Sequence, residues 1–312
     1  MLIGIDGGGT KTDLILLEKD GTPKKRLICG GCSVSELGAQ TAAKRLMSYI
    51  TDLLSDFGGQ SAEADALFAG LSGSGNADSA GHISTVLKNA FPNIASVRTA
   101  GDTLSALYAG VGTEDGMVVI AGTGSSCYVR HSGQYSLVGG WGHLIDDAGS
   151  GFWLGKEALN AALREKDGRG EKTVLTPMVD EKLGKDVRTC IGALYAGGKP
   201  MIASFAPLVL EAAGCGDRIA KEILYRAADE LARLIRAGAE LIDKKPCRAA
   251  LAGSLWKSEL LLSEVSLLLN DDFILLPLSV PPVLGSAMAA AEDAGIIITP
   301  TFRSRLFNAL KG

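Results

Sequence analysis

The sequence predicts an α/β protein in which two domains repeat a βββαβα order. Three observations predict it. Short apolar runs alternate with longer segments of helical apolar spacing, a glycine-rich turn joins two strands in each half, and the second turn follows the first by about 115 residues. The chain has 312 residues, enough for two domains with cores of their own.

The first half begins with a β-hairpin. Apolar runs at 2–5 and 13–18 predict its two strands, and a turn at 20–23 leads to a third strand at 25–29. The remaining predicted elements of this half are a helix over 36–57, a strand at 66–71, a helix over 79–91, a strand at 96–99 and a helix that begins after Asp102. A linker is expected at 110–116.

The second half repeats the pattern. Strands are predicted at 116–121, 127–130 and 135–138, then helices with 219–242 the clearest, a strand at 249–252, a helix over 256–269, a strand at 273–276 and a helix over 285–294. We therefore predict domains at 1–112 and 113–300, with a last helix in 301–312 that returns to complete the first domain.

Composition and charge exclude several classes of protein. Apolar residues make up 46% and charged residues 21%, as in folded globular proteins. The net charge of −4 and pI of about 5.5 argue against nucleic acid or an anionic membrane as partner. The longest apolar runs are far below the roughly 18 residues of a spanning helix, and no signal peptide is recognisable. We expect a cytoplasmic protein.

Glycine is the compositional anomaly, with 40 residues clustered at strand ends. The first cluster, Gly7-Gly8-Gly9, precedes Thr10, Lys11 and Thr12, so several amides and two hydroxyls can face one anion. Phosphate is the natural anion. A strand follows this turn, whereas Walker and Rossmann loops open a helix. A single such turn could be only a tight turn, but two copies favour a polyphosphate gripped from both sides, with Asp6 placed to hold Mg²⁺ through water.

The motifs at 6–12, 121–125, 139–143 and 251–256 resemble the N-acetylglucosamine kinase branch of the BadF/BadG/BcrA/BcrD ATPase family, within the actin, heat-shock ATPase and sugar-kinase superfamily. The resemblance runs nearly end to end. It implies two ribonuclease-H-like domains that flank a nucleotide cleft, ATP and Mg²⁺ as cofactors, and a homodimer. The nucleotide contacts it implies are Gly8, Gly9, Thr10, Lys11, Thr12, Gly122, Thr123, Gly124, Ala213, Gly216, Gly253 and Ser254.

Asp102 follows an apolar strand and precedes a helix, so by pattern alone it is a candidate N-cap. By resemblance it is the catalytic base that accepts the proton of the acceptor hydroxyl. The substrate contacts implied in the same way are Ser72, Gly73, Asp102, Thr123, Gly124, Ser126, Gly140, Trp141 and Asp147. Asp146 is expected to be solvated, and His143 to be a structural histidine.

Two departures from the family's pattern leave the acceptor open. Val34 stands where N-acetylhexosamine kinases of this group carry an asparagine, and Ser126 replaces a second asparagine. Both changes remove amides suited to sugar hydroxyls or an acetamido group. Glucosamine, N-acetylglucosamine and N-acetylmuramic acid stay as candidates, with the 6-hydroxyl as the expected acceptor atom.

Two rival functions remain. Activator ATPases of 2-hydroxyacyl-CoA dehydratases and benzoyl-CoA reductase belong to the same family, but Val118-Val119-Ile120 stand where their cluster cysteine would be. A non-catalytic nucleotide-switched scaffold would need a surface for polymerisation or peptides. Cys29 and Cys32 form a C-x-x-C without a second pair at zinc spacing, and all six cysteines are expected to be reduced.

Overall fold

The computed structural model describes residues 1–308 and divides the chain into two compact units. The first unit contains Met1–Glu114 and the C-terminal segment from Leu278, and the second contains Asp115–Pro277. Residues 309–312, the end of the predicted segment 301–312, lie outside the described residues.

The first unit is built on a β-hairpin that continues into a mixed sheet. Its elements are β1 (Leu2–Gly7), β2 (Lys11–Leu17), β3 (Pro23–Gly30), α1 (Val34–Leu37), α2 (Ala39–Leu53), β4 (Ala64–Leu71), α3 (Ala77–Ala90), β5 (Ile94–Gly101) and α4 (Asp102–Val111). The sheet order is β3-β2-β1-β4-β5, antiparallel among the first three strands and parallel from β1 to β5.

The second unit has the same sheet with more helices. Its elements are β6 (Gly116–Ala121), β7 (Ser125–His131), β8 (Gln134–Val138), α5 (Gly151–Lys166), α6 (Leu175–Leu183), α7 (Ile191–Ala203), α8 (Ala206–Gly214), α9 (Arg218–Ala239), β9 (Cys247–Ala252), α10 (Glu259–Leu268) and β10 (Phe273–Pro277). The sheet order is β10-β9-β6-β7-β8. Read from the other edge, as β8-β7-β6-β9-β10, it corresponds strand by strand to β3-β2-β1-β4-β5 of the first sheet, and the parallel and antiparallel pairings match as well. The duplicated α/β fold predicted from the sequence is confirmed.

Helix boundaries differ from the prediction where glycine intervenes. The segment predicted as one helix over 36–57 is two helices, because Gly38 adopts a φ of 74° between α1 and α2. Because glycine adopts a positive φ without strain, the Gly38 residue itself marks this break between the helices. The helix predicted over 256–269 likewise begins as a 3₁₀ turn, Ser254–Lys257, before α10.

The C-terminal segment adds α11 (Val283–Asp293) and α12 (Pro300–Asn308). The predicted boundary at 300 differs from the observed division at Leu278, because α11 packs on β1 and α4 of the first unit. Gly4 allows the approach, since a Cβ there would lie 2.5 Å from the Ala287 amide nitrogen. The buried hydroxyl of Ser286 donates to that of Ser105 at 2.8 Å, which fixes α11 against α4.

In each unit the apolar core lies between the sheet and the helices that pack on it. In the first unit, one face packs under α2 and α3 and the other under α4 and α11. In the second unit a single apolar cluster joins β6 and β9 to the helices from α5 to α10. No single helix among residues 1–308 is long and apolar enough to cross a membrane, and one bent pair, α7 with α8, passes that test by length and composition only.

Gly285→Ala tests the packing of α11. A Cβ at Gly285 would collide with the Ser105 carbonyl oxygen and lie 2.5 Å from the Ala109 amide nitrogen. Overpacking of this kind should lower the free energy of unfolding by about 1–3 kcal/mol. Urea denaturation measures the change.

Gly81→Ala in α3 is the matched control, because nothing lies within 4 Å of a Cβ there. It should raise the free energy of unfolding by about 0.5–1 kcal/mol through helix propensity. Equal effects of the two substitutions would contradict the placement of α11.

Candidate functional site

The first glycine turn joins β1 to β2 and is held from outside. The Gly8 amide donates to the Lys11 carbonyl at 2.9 Å, and the Cys32 amide donates to the Gly8 carbonyl at 2.9 Å. Gly31 lies so close that a Cβ on it would collide with the Gly9 carbonyl oxygen. The segment after β3 therefore sets the shape of the turn, while Gly9, Thr10 and Lys11 stay exposed.

Thr12 does not take the role predicted for it. Its side chain is fully buried, and its hydroxyl donates to the Gly30 carbonyl at 2.8 Å, between β2 and β3. The expectation that two hydroxyls face a ligand here is wrong for Thr12, because alternation along β2 turns this side chain inward. Thr10 is the exposed hydroxyl.

Backbone hydrogen bonds bring the loops after β1, β3 and β4 together. The Ser72 amide donates to the Gly7 carbonyl at 2.8 Å, and the Val34 amide donates to the Ser72 carbonyl at 2.7 Å. Gly73 has a φ of 81°, and a Cβ on it would lie 2.5 Å from the Ser35 amide nitrogen. Val34 itself is buried in the core of the first unit. This edge, at the carboxyl ends of parallel strands, is where open α/β sheets bind ligands.

Asp102 is the first residue of α4, and Gly101 occupies the N-cap position. The alternative role of Asp102 as N-cap is therefore not what the structure shows. Burial raises the pKa of the Asp102 carboxyl, while hydrogen bonds from the Thr103 amide, its own amide and the Ser72 side chain oppose that rise. The carboxylate lies at the helix N-terminus beside Ser72, as the prediction of one shared site requires.

Asp6 is the penultimate residue of β1 and lies near Asp102. Its pKa is raised to about 7, first by burial, then by the charges of Asp102 and Asp13, with Lys11 opposing. Asp13 is only 2% exposed and accepts two hydrogen bonds from Arg26, at 2.9 and 2.6 Å, so its own charge is balanced. Of these three aspartates, only Asp13 has an ion-pair partner among the described residues.

The second glycine turn, between β6 and β7, is held by a helix start. The Gly122 amide donates to the Gly124 carbonyl at 2.9 Å. The Gly122 carbonyl accepts from the Gly151 amide at 2.7 Å, and the Thr123 carbonyl from the Phe152 amide at 3.1 Å. These two amides open α5 and would otherwise lack partners. The helix thus fixes two carbonyls of the turn, and Thr123 stays exposed.

A cavity of about 230 Å³ adjoins this turn within the second unit. It brings together three of the predicted nucleotide contacts, Gly122, Thr123 and Ser254, with Pro200 and Ala203 of α7. The rest of its lining is Gly151, Ser204, Ala206, Pro207 and Leu255.

The other predicted nucleotide contacts of the second unit do not line this cavity. Ala213 is buried in the apolar core of the unit, which speaks against a contact through its side chain. Gly253 is backed by the Ala121 carbonyl, and Gly216 adopts a φ of 94° after α8.

The loop from β8 to α5 carries the predicted sugar contacts. A Cβ on Gly140 would lie 2.6 Å from the Ser126 Cβ, so these two residues touch. Trp141 is 66% exposed. Its amide donates a hydrogen bond to the Asp146 carboxylate at 3.3 Å, so Asp146 helps to hold the loop's backbone. The ring of His143 lies edge-on against Phe152 with centroids 4.7 Å apart, in line with a structural histidine.

Asp147 has a partner that sequence reasoning missed. It is 3% exposed, has a φ of 59°, and accepts a hydrogen bond from Lys199 Nζ at 2.7 Å. The only sequence signal for Lys199 is the Gly198-Lys199-Pro200 break inside α7, where Gly198 leaves helical geometry. Sequence reasoning also missed Glu36, which lies beside the first glycine turn. Its carboxylate would collide with a Cβ on Gly9.

Comparison with protein families decides the relationship. A model of the BadF/BadG/BcrA/BcrD ATPase family matches residues 3–289. The chain belongs to this family.

Curated relatives are similar in sequence to this chain over most of its length. An N-acetylmuramic acid/N-acetylglucosamine kinase from Clostridium acetobutylicum is 32% identical over 78% of this chain and 80% of its own length. A glucosamine kinase from Vibrio cholerae is 26% identical over 81% of this chain and 84% of its own length.

Solved structures of similar proteins have the same fold. A candidate N-acetylglucosamine kinase from Chromobacterium violaceum superposes with a TM-score of 0.72 at 28% identity, over 93% of this chain and 98% of that one. A candidate N-acetylglucosamine kinase from Porphyromonas gingivalis gives 0.68 at 19% identity, over 95% and 100%. The second of these shows the fold alone. The two-domain ATPase architecture of the family, with its use of ATP, is thus that of this chain.

The six cysteines form no disulfide. All six are free thiols, and residues 1–308 contain no group of three or more side chains placed to bind a metal ion. Cys32 is buried and packs beneath the first turn, where its thiol contacts the Ala42 carbonyl. The C-x-x-C is therefore part of the support of that turn.

A thiol titration checks this arrangement. Cys215 is exposed, Cys29 is half-buried and the other four are buried. A thiol reagent should modify Cys215 rapidly in the native protein, Cys29 more slowly, and all six thiols after denaturation without reductant. Cys215→Ser should abolish the rapid phase. Fewer than six thiols in the denatured protein would mean that a disulfide is present.

Proposed function

We propose that this protein is an amino-sugar kinase that transfers the terminal phosphoryl group of ATP to a sugar hydroxyl. The observation that carries the proposal is the pair of buried carboxylates, Asp6 and Asp102, which have no ion-pair partner among the described residues and lie at the strand edge beside the first glycine turn. Phosphoryl transfer needs an oriented base and an anion-binding turn at one place. The curated relatives named as amino-sugar kinases support the same reaction class.

Asp102 would accept the proton of the attacking hydroxyl. Burial raises the pKa of its carboxyl, which makes it a better proton acceptor than a solvated aspartate. The Thr103 amide and Ser72 hold the carboxylate in place. Because the transition state of phosphoryl transfer is loose, alignment and charge neutralisation should contribute more than the base, which adds about 10²–10⁴-fold.

Each unit would supply one phosphate-binding turn. In the first, Gly9, Thr10 and Lys11 are exposed and would present amides, a hydroxyl and an ammonium, while Gly8 shapes the turn through its hydrogen bond to the Lys11 carbonyl. In the second, Gly122 and Thr123 line the 230 Å³ cavity together with Ser254, and Gly124 completes the turn.

Magnesium fits the chemistry of the first unit's edge. The carboxylates of Asp6 and Asp102 are neighbours that repel each other when both are charged, and the pKa of Asp6 is raised to about 7. A divalent cation would relieve this repulsion. Mg²⁺ is commonly held by one or two carboxylates, waters and substrate phosphates. We propose that Asp6 holds it through water. When bound, the ion neutralises charge on the phosphates.

The proposed acceptor contacts are Ser72 and Gly73 in the first unit, and Gly140, Trp141 and Asp147 in the second. Exposed Trp141 offers an aromatic face for a sugar ring. Since Val34 is buried and Ser126 lacks an amide, recognition of an acetamido group must come from elsewhere than these two side chains. Glucosamine, N-acetylglucosamine and N-acetylmuramic acid are the candidate acceptors, and the primary 6-hydroxyl is the proposed acceptor atom. We also propose that the protein is cytoplasmic and forms a homodimer. Light scattering of the purified protein tests the homodimer.

An ADP-release assay against glucosamine, N-acetylglucosamine, N-acetylmannosamine, N-acetylmuramic acid and glucose tests the reaction class. At least one amino sugar should stimulate ADP release well above the rate without acceptor, because induced closure guards against hydrolysis. The phosphorylated position is then read by NMR. No stimulation, together with the absorption of an iron–sulfur cluster in protein purified anaerobically, would favour the activator ATPase instead.

Asp102→Asn tests the base. The substitution keeps the shape and the helix start but removes the proton acceptor, so kcat should fall by about 10²–10⁴-fold. Calorimetry with ADP should show nearly unchanged affinity.

Asp78→Asn, the same chemical change at an exposed position of α3, is the control and should leave kcat within twofold. Wild-type turnover of the Asp102→Asn protein would remove Asp102 from the mechanism.

A further inference from the structure

Lys199 is a cation placed at the second glycine turn by an unusual local structure. Helix α7 leaves helical geometry at Gly198, which has a φ of 58° and a ψ of −154° and directly precedes Lys199. The break directs Lys199 toward the β6–β7 turn, where its Nζ would lie 3.0 Å from a Cβ on Gly124. A position this close to a turn of backbone amides is one where an ammonium can share an anion with them.

Tight helix packing fixes that position. A Cβ on Gly155 of α5 would collide with the Ile202 carbonyl of α7, and a Cβ on Gly151 would lie 3.8 Å from the Ala203 Cβ. The same Gly151 donates its amide to the Gly122 carbonyl of the turn. Turn, helix start and the Lys199 segment therefore form one rigid assembly within the second unit.

Asp147 holds the ammonium. Its carboxylate is buried, and Lys199 Nζ lies 2.7 Å from its Oδ2, while the Lys199 side chain keeps 30% of its surface exposed. A buried ion pair costs desolvation and is weak support for stability by itself. Exposure of one partner next to an anion-binding turn is what a ligand-binding pair requires.

We propose that Lys199, held by Asp147, binds the terminal phosphate of ATP at the second glycine turn. This inference rests on the proposed function and adds to it a cation that the sequence motifs do not contain. The ammonium would neutralise charge on the phosphoryl group that is transferred and stay paired with Asp147 throughout. A contact confined to the terminal phosphate would leave ADP binding untouched.

Lys199→Met tests the proposal by calorimetry without sugar, using ADP and a non-hydrolysable ATP analogue with Mg²⁺. Charged hydrogen bonds to phosphate correspond to about tenfold to hundredfold in affinity. The variant should bind the analogue at least tenfold more weakly than the wild type and bind ADP within twofold of it. Lys172→Met, an exposed lysine of the same unit, is the matched control and should change neither affinity.

A second variant separates binding from folding. Lys199→Met leaves the Asp147 charge buried and unpaired, which could unfold the protein. Lys199→Met with Asp147→Asn removes both charges and should show the same selective loss of analogue binding. Equal losses for ADP and the analogue, or no loss, would overturn the proposal. So would a raised KM confined to carboxylate-bearing acceptors with normal analogue binding, which would assign the ammonium to the sugar.

The two proposals fail in different ways. Wild-type protein that phosphorylates an amino sugar, with a Lys199→Met variant that binds the analogue normally, overturns only the role of Lys199. Wild-type protein that binds neither nucleotide overturns both.

Discussion

The site depends on one constraint, which is that a glycine turn binds an anion only if other parts of the chain hold its carbonyls. In the first unit the Cys32 amide takes the Gly8 carbonyl, and in the second the start of α5 takes those of Gly122 and Thr123. Each of these bonds satisfies a carbonyl whose negative end would otherwise be free to face the proposed phosphate. The two units thus solve the same problem with different elements, a loop after β3 and a helix N-terminus.

Electrostatics divides the carboxylates of the first unit into two kinds. Asp13 is paired with Arg26 across neighbouring strands and serves the sheet. Asp6 and Asp102 lack such a partner, and burial raises the pKa of both. Groups kept in this state cost folding free energy, and such groups concentrate at functional sites. The contrast between Asp6 and its strand neighbour Asp13 therefore supports the proposal that Asp6, and not Asp13, serves the reaction.

Most of the architecture could be predicted from the sequence, because strands and glycine turns leave local patterns. The hairpins, the repeat of the sheet and the placement of Asp6 and Asp102 at strand ends all follow from residues close together in the chain. Thr12 was assigned wrongly because its type suits phosphate, while only the strand register shows that it points inward. Lys199 was missed because it lies 52 residues from Asp147, and nothing local marks the pair. The placement of α11 depends on contacts with β1 that lie at the other end of the chain.

The return of α11 to the first unit has a consequence for how the protein is made. The face of β1 at Gly4 is covered by Ala287, so the N-terminal domain emerges from the ribosome with α4 on this side of its sheet but without the cover that α11 supplies. The second unit, a continuous stretch from Asp115 to Pro277, has all its own strands before that cover arrives. Synthesis from the N-terminus would therefore let the later domain finish first, and the earlier one would wait for the last tenth of the polypeptide to close it.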